Sequence, residues 1–313
     1  LQSHLNLVCR LLLEKKKISL PLASLSARCT FPGKGIFSAL VLVPLILPPF
    51  VGAIGLHHLL GKFGALNTLL MDMGWITEGY DFIGNGGFWA IVFIEALHLY
   101  PILYLNATAA LANLDPALEE AAENLGASQW RRFRQIILPL IRPGLFAGAT
   151  IVFIWSFTEL GTPLMFDYQI VTPVQIFNGI KEMNTSQQPY ALTAVMLIAA
   201  ILFYVLGKLV FGGKAYAMYS KASVQSTLQT LKGYKGLLAT LAFTTVIGLA
   251  VLPHISVLFT SFAVEGSWYK SIFPGEFTTD HYEGALSHTL AVGSIANSLL
   301  YSTLAVLLDI VIG

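Results

Sequence analysis

The sequence predicts an all-α integral membrane protein: a polytopic helical bundle of about six spans, with a helix–turn–helix on the cytoplasmic side. Of its 313 residues 55% are hydrophobic and 11% charged, where a soluble domain carries roughly a quarter charged. Six apolar stretches each reach the ~20 residues that a bilayer core requires, and Lys and Arg gather on one side of them. This composition excludes an ordinary soluble enzyme, a disordered chain and a nucleic-acid binder with a basic face. Eighteen basic against 17 acidic residues leave a net charge of +1, which names no partner. Cys9 and Cys29 are too few for a disulfide framework or a four-ligand zinc site.

The predicted spans are 36–60, 87–112, 144–166, 190–211, 236–262 and 289–313. None alternates apolar and polar residues as a barrel strand does, so helices must satisfy the backbone. The segments before 36, between 112 and 144 and between 207 and 236 hold fifteen of the Lys and Arg residues; the alternate loops hold Lys62, Lys181 and Lys270. That bias makes the first set cytoplasmic. Residues 1–27 fit less well. Lys15, Lys16 and Lys17 interrupt an apolar run, 18–27 is too short to span, and no small-residue cleavage site follows to complete a signal peptide. The chain stops at Gly313 in mid-span, so both ends read as cut. Pro44, Pro48 and Pro49 are expected to kink the first span. Gly144 and Gly148 form a G-x-x-x-G pair suited to close helix packing. His57 and His58 read as a solvated pair at headgroup level, with Trp75, Trp89 and Trp268 near the exterior boundary.

Between the second and third spans lies a polar segment of different character. Asp115 caps a helix that Pro116 opens, and Gly126 is placed to end it in a left-handed conformation. Ser128 caps a second helix expected to run to Pro139, with Arg131, Arg132 and Arg134 beside Trp130 and Phe133. Glu119 and Glu123 read equally well as solvated faces. Glu120, Ala121, Ala122, Gly126, Ile136, Leu138 and Pro139 reproduce the pattern E-A-A-x3-G-x9-I-x-L-P in full. This resembles the cytoplasmic loop of permease subunits of type I ATP-binding-cassette importers. The stretches Arg28–Lys34 (RCTFPGK) and Leu42–Phe50 (LVPLILPPF) are similar to the start of the same domain. His98–Pro101 (HLYP) and Thr158–Met165 (TELGTPLM) resemble the iron(III) subgroup, in which two permease domains are fused.

The resemblance implies a domain at 28–211, a cytoplasmic linker at 212–235 and the start of a second, incomplete domain at 236–313, where Asn297–Ser302 (NSLLYS) looks like an opening core motif; 1–27 stays an atypical segment. It implies that the E-A-A loop docks on a separate dimer of ABC ATPase subunits, which hold ATP and Mg. A periplasmic or lipid-anchored binding protein would deliver the solute across the bacterial inner membrane. No cofactor, catalytic residue, resident metal or nucleic acid is expected on this chain itself. Its residues agree on nucleotide: Gly61-Lys62 and Gly213-Lys214 lack the glycine spacing and hydroxyl of a phosphate-binding loop.

Ionisable groups within spans are costly and are functional candidates. Glu95 and His98 share a helix face, and Glu159 lies toward the exterior end of the third span. Together they form a candidate translocation pathway able to receive a hard cation such as iron(III); alternatively Glu95 and His98 bond each other or a neighbouring helix. Polyamine, thiamine, sulfate and phosphonate importers share the core domain. A proton-coupled transporter or membrane-embedded enzyme built on Glu95, His98 and Glu159 leaves the E-A-A pattern without a task.

Overall fold

The computed structural model describes residues 18–84, 87–180, 186–211, 228–268 and 271–312. Cys9, the basic run Lys15–Lys17 and residues 212–227 of the expected linker (212–235) lie outside them. Five helices are long and apolar enough to cross a membrane, and a broken pair supplies a sixth candidate. Packing divides the chain into one unit of residues 1–57 and 82–254 and another of 58–81 and 255–313.

The first unit begins with α1 (18–28), which buries Leu22 and Ala23. A two-residue strand β1 (Cys29–Thr30) follows, then α2 (Lys34–Leu40), α3 (Val43–Ile46) and α4 (Pro49–Leu60), the last running on into the second unit's sequence. The kink expected in the first span is a full break. Leu47 is extended, with φ −86° and ψ 125°, because a residue before proline is pushed out of the helical region and Pro48 and Pro49 donate no N–H. Further along, α6 (Phe88–Ala112) matches its predicted span and runs straight through Pro101. It is apolar all round and is the most buried of the five long helices, as a central helix should be. Leu97, Tyr100, Tyr104, Ala107 and Leu111 make it the spine of the core, against Leu22, Val41, Ile137, Ile141 and Phe243 from other elements.

After α7 (Pro116–Asn124) come α8 (Gln129–Arg132), a π-helical turn at Phe133–Ile137, and α9 (Leu138–Thr158). These last three form one 30-residue helix. The helix expected to stop at Pro139 therefore continues through it, and the structure corrects that expectation. The Leu138 N–H bonds the Phe133 carbonyl. That wider turn relieves the clash a proline ring makes with the carbonyl four residues back. The helix ends at Thr158, short of the predicted 166, and Glu159 is extended (φ −65°, ψ 127°). Gly144 and Gly148 lie against α6: a Cβ on Gly144 would come within 2.7 Å of the Ala110 Cβ, and one on Gly148 within 2.9 Å of the Asn106 Cβ.

Beyond Glu159 lie α10 (Gly161–Met165), α11 (Thr172–Ile180) and α12 (Gln188–Phe211). α12 packs on α9 through Phe153, Phe157 and Phe203 and leaves most of its apolar surface exposed, as suits a helix facing lipid. Then β2 (Gln229–Thr230) leads into α13 (Tyr234–Phe262). β2 pairs in parallel with β1, Cys29 opposite Gln229 and Thr30 opposite Thr230. The Leu231 N–H adds a bond to the Thr30 carbonyl at 2.9 Å, and Phe31 packs on Phe243 at 5.1 Å. The entries to α2 and α13 therefore sit side by side.

In the second unit, α5 (Ala65–Asp72) carries the buried Asn67, whose side chain donates to the Gly61 and Tyr80 carbonyls and accepts from the Tyr80 N–H. That closes the loop 61–80 on itself. His58 stacks on Trp268 at 5.4 Å. An antiparallel contact of Ala263 with Phe277 precedes α14 (Asp280–Ser287) and α15 (Thr289–Ile312). α15 fills its predicted span and buries no residue.

Candidate functional site

The polar segment folds as its residues require. The Asp115 carboxylate accepts from the Ala117 N–H at 2.9 Å, with Pro116 at the first helical position. At the other end Gly126 has φ +78°. Its N–H bonds the Glu123 carbonyl at 2.8 Å, and the Ala127 N–H reaches back to the Ala122 carbonyl at 3.0 Å. This paired closure satisfies the last carbonyls of α7 and needs a left-handed residue at that place. Ser128 then caps α8, accepting from the Arg131 N–H at 3.4 Å.

Two ion pairs that no sequence pattern indicates brace this turn. Glu123 pairs with Arg132 at 2.5 Å across the α7–α8 corner. Glu119 receives both guanidinium arms of Arg28, at 2.6 and 2.8 Å, from 91 residues away. A two-armed pair fixes orientation as well as distance. Of the pattern residues, Glu120 and Ala121 are exposed, Ala122 is buried, and Ile136, Leu138 and Pro139 are half-buried. Beside them project Leu125, 88% exposed, and Trp130, 69% exposed and stacked on Phe133 at 5.8 Å. They make an exposed apolar pair among the polar residues of this corner. The sequence does carry a signal for it: Leu125 stands between Asn124 and Gly126, where a short polar helix ends.

At the far end of α9 the two carboxylates come together. Glu95 on α6 is 2% exposed and accepts from the Thr162 hydroxyl at 3.1 Å. Glu159 accepts from the Thr162 N–H at 3.1 Å and lies 3.5 Å from the same hydroxyl. Thr162, on α10, thus bridges two carboxylates that are 64 residues apart in the chain; it lies within the Thr158–Met165 stretch, but no sequence pattern points to this link. His98, one turn beyond Glu95, is buried. His57 is exposed with its ring 5.0 Å from Phe166, while His58 stacks on Trp268. Among the described residues no three His, Cys, Asp or Glu side chains gather as metal ligands would.

Residues 19–217, which hold both clusters, match the family described as "Binding-protein-dependent transport system inner membrane component". The chain belongs to this family. Among the relatives of this inner membrane component is the ferric transport system permease protein FbpB of Actinobacillus pleuropneumoniae, 29% identical over 296 residues, 91% of this chain and 41% of that one. Another is the molybdenum transport system permease protein ModB of Haemophilus influenzae, 30% identical over 215 residues, 66% of this chain and 91% of that one. The chain spans less than half the length of the ferric relatives it matches. The fold is shared with a bacterial ABC transporter involved in the import of the acidic polysaccharide alginate, with TM-score 0.54 and 17% identity over 67% of this chain and 77% of that one. Family membership accounts for the apolar helices: this is a membrane transport component and not an enzyme.

Proposed function

We propose that the chain is the permease part of an ATP-driven, binding-protein-dependent importer for iron(III), with the α7–α8 corner as its coupling element. The observation that carries this reading is continuity. The corner bearing the E-A-A pattern is rigidly closed and feeds into a single helix, Gln129–Thr158, whose other end sets the backbone of Glu159. Closure of an ATPase dimer around ATP and Mg at one end of that rod would tilt it and alter the Glu95–Thr162–Glu159 junction at the other. Two carboxylates meeting on one hydroxyl favour a hard cation with oxygen preference. A binding protein on the exterior face would deliver it, and the lipid bilayer covers α12 and α15. In this reading 28–211 is the first permease domain, 212–235 the linker and 236–313 the opening of a second, with Glu120, Ala121, Ala122 and Gly126 at the ATPase contact.

Leu125 and Trp130 then enter the ATPase groove. Leu125→Asp or Trp130→Ala in the tagged, membrane-borne protein is expected to lower co-purification of an ABC ATPase subunit about tenfold or more, since such anchors carry most of an interface. Unchanged capture would remove the corner from the contact. Glu95→Gln with Glu159→Gln is expected to cut uptake of iron-55(III) citrate at least about tenfold with ATPase capture intact; equal uptake makes both carboxylates packing groups. The similarity to ModB along 91% of its length supports a second reading, an oxyanion importer. Molybdate uptake that survives both Gln substitutions, with no iron uptake by the unaltered protein, selects it.

A further inference from the structure

We infer that Arg28 is a positioning residue that latches the coupling helix to the start of α13, so that movement of α7 is passed to two helices and not to α9 alone. The inference rests on the coupling role proposed above. α7 has nine residues, too few to hold a helix or an orientation unaided in water. Its cap is local, and its pair with Arg132 spans only nine residues. Among the described side-chain hydrogen bonds of α7, the fork from Arg28 reaches farthest along the chain: Nη1 to Oε2 at 2.8 Å and Nη2 to Oε1 at 2.6 Å. Both side chains are about a quarter to a third exposed, so the pair is shielded in part from water and salt.

Arg28 is the last residue of α1, and the chain turns there at once into β1. Cys29 and Thr30 pair with Gln229 and Thr230, the Thr30 and Thr230 hydroxyls meet at 3.1 Å, and the Thr240 hydroxyl bonds the Pro32 carbonyl at 3.1 Å. Lys34 Nζ donates to the Cys29 carbonyl at 2.8 Å and stiffens the turn. A rotation of α7 that pulls on Glu119 therefore pulls Arg28, the strand pair and the first turns of α13 in sequence. A surface ion pair kept only for solubility would need neither two arms nor a partner joined directly to a strand tied to another helix.

The test is hydrogen exchange on the full-length protein in lipid nanodiscs, read on the amides of 117–124, together with iron-55(III) citrate transported per ATP hydrolysed by the assembled importer. Arg28→Gln and Glu119→Gln should each speed exchange in that helix on the order of fivefold and lower the transport ratio. Arg28→Glu with Glu119→Arg should recover both. Arg28→Lys, which keeps charge without the fork, should recover only part. Unchanged exchange in both Gln variants overturns the latch, whatever transport does. Faster exchange restored by the swap, in a protein that captures no ATPase and moves no iron, leaves the latch standing and removes the coupling reading beneath it.

Discussion

Gly126→Val leaves the protein inserted and folded in the membrane and reduces ATP-driven uptake to less than about a tenth. The residue sits at φ +78°, which costs a side-chain-bearing residue roughly 1–2 kcal/mol and a β-branched one more. A Cβ there would meet nothing within 4 Å, so bulk is not the cause. The penalty falls on the backbone, and the simplest escape is to give up the paired closure at Glu123 and Ala122 and change the angle at which α7 leaves α8. Gly126→Asn, which tolerates the left-handed region, keeps most of the uptake. If Val and Asn behave alike in the same vesicles, the turn's conformation is not what couples.

Gly144→Ala is expected to destabilise the chain by about 1–3 kcal/mol, and Ala110→Gly in the same chain to return most of it. The added methyl would stand 2.7 Å from the Ala110 Cβ, where carbon atoms settle at about 3.5–4 Å. α6 is the spine of the core and cannot give way without disturbing Tyr100, Tyr104 and Ala107, so α9 must move. Lipid offers no hydrophobic compensation for parted helices. The measurement is the unfolding midpoint in detergent micelles for the two single variants and the double variant. Independent, additive effects would show that the two methyls never meet.

These predictions also mark what can be read from the chain. Asp115, Pro116, Gly126 and Ser128 are legible because caps and left-handed turns are decided within a few residues. The spans 88–112, 188–211, 234–262 and 289–312 are legible because about twenty apolar residues have few other uses. The prolines are less so. Pro48 and Pro49 break a span while Pro101 and Pro139 do not, since the outcome depends on whether neighbouring elements hold the freed backbone in line. The links that make a site from separate helices are not legible at all. Arg28 to Glu119, and Glu95 to Glu159 by way of Thr162, join residues 91 and 64 positions apart, and no local pattern records which polar groups the fold will bring together.

The π turn at Phe133–Ile137 sets a phase. An α-helix advances about 100° per residue, so taking in one extra residue turns everything on the N-terminal side by about that angle relative to everything beyond. Trp130 and the α7–α8 corner are thus aimed by a surplus residue lodged just before Pro139, and the helix beyond it keeps its own facing toward α6. Deleting one residue between Phe133 and Ile137, with Pro139 replaced by Ala so that no ring clashes in the ordinary turn that results, would swing the corner around the axis like a key cut one notch off. Length between Gly126 and Ile136 is therefore a dial for direction, and insertions there act on aim before they act on stability.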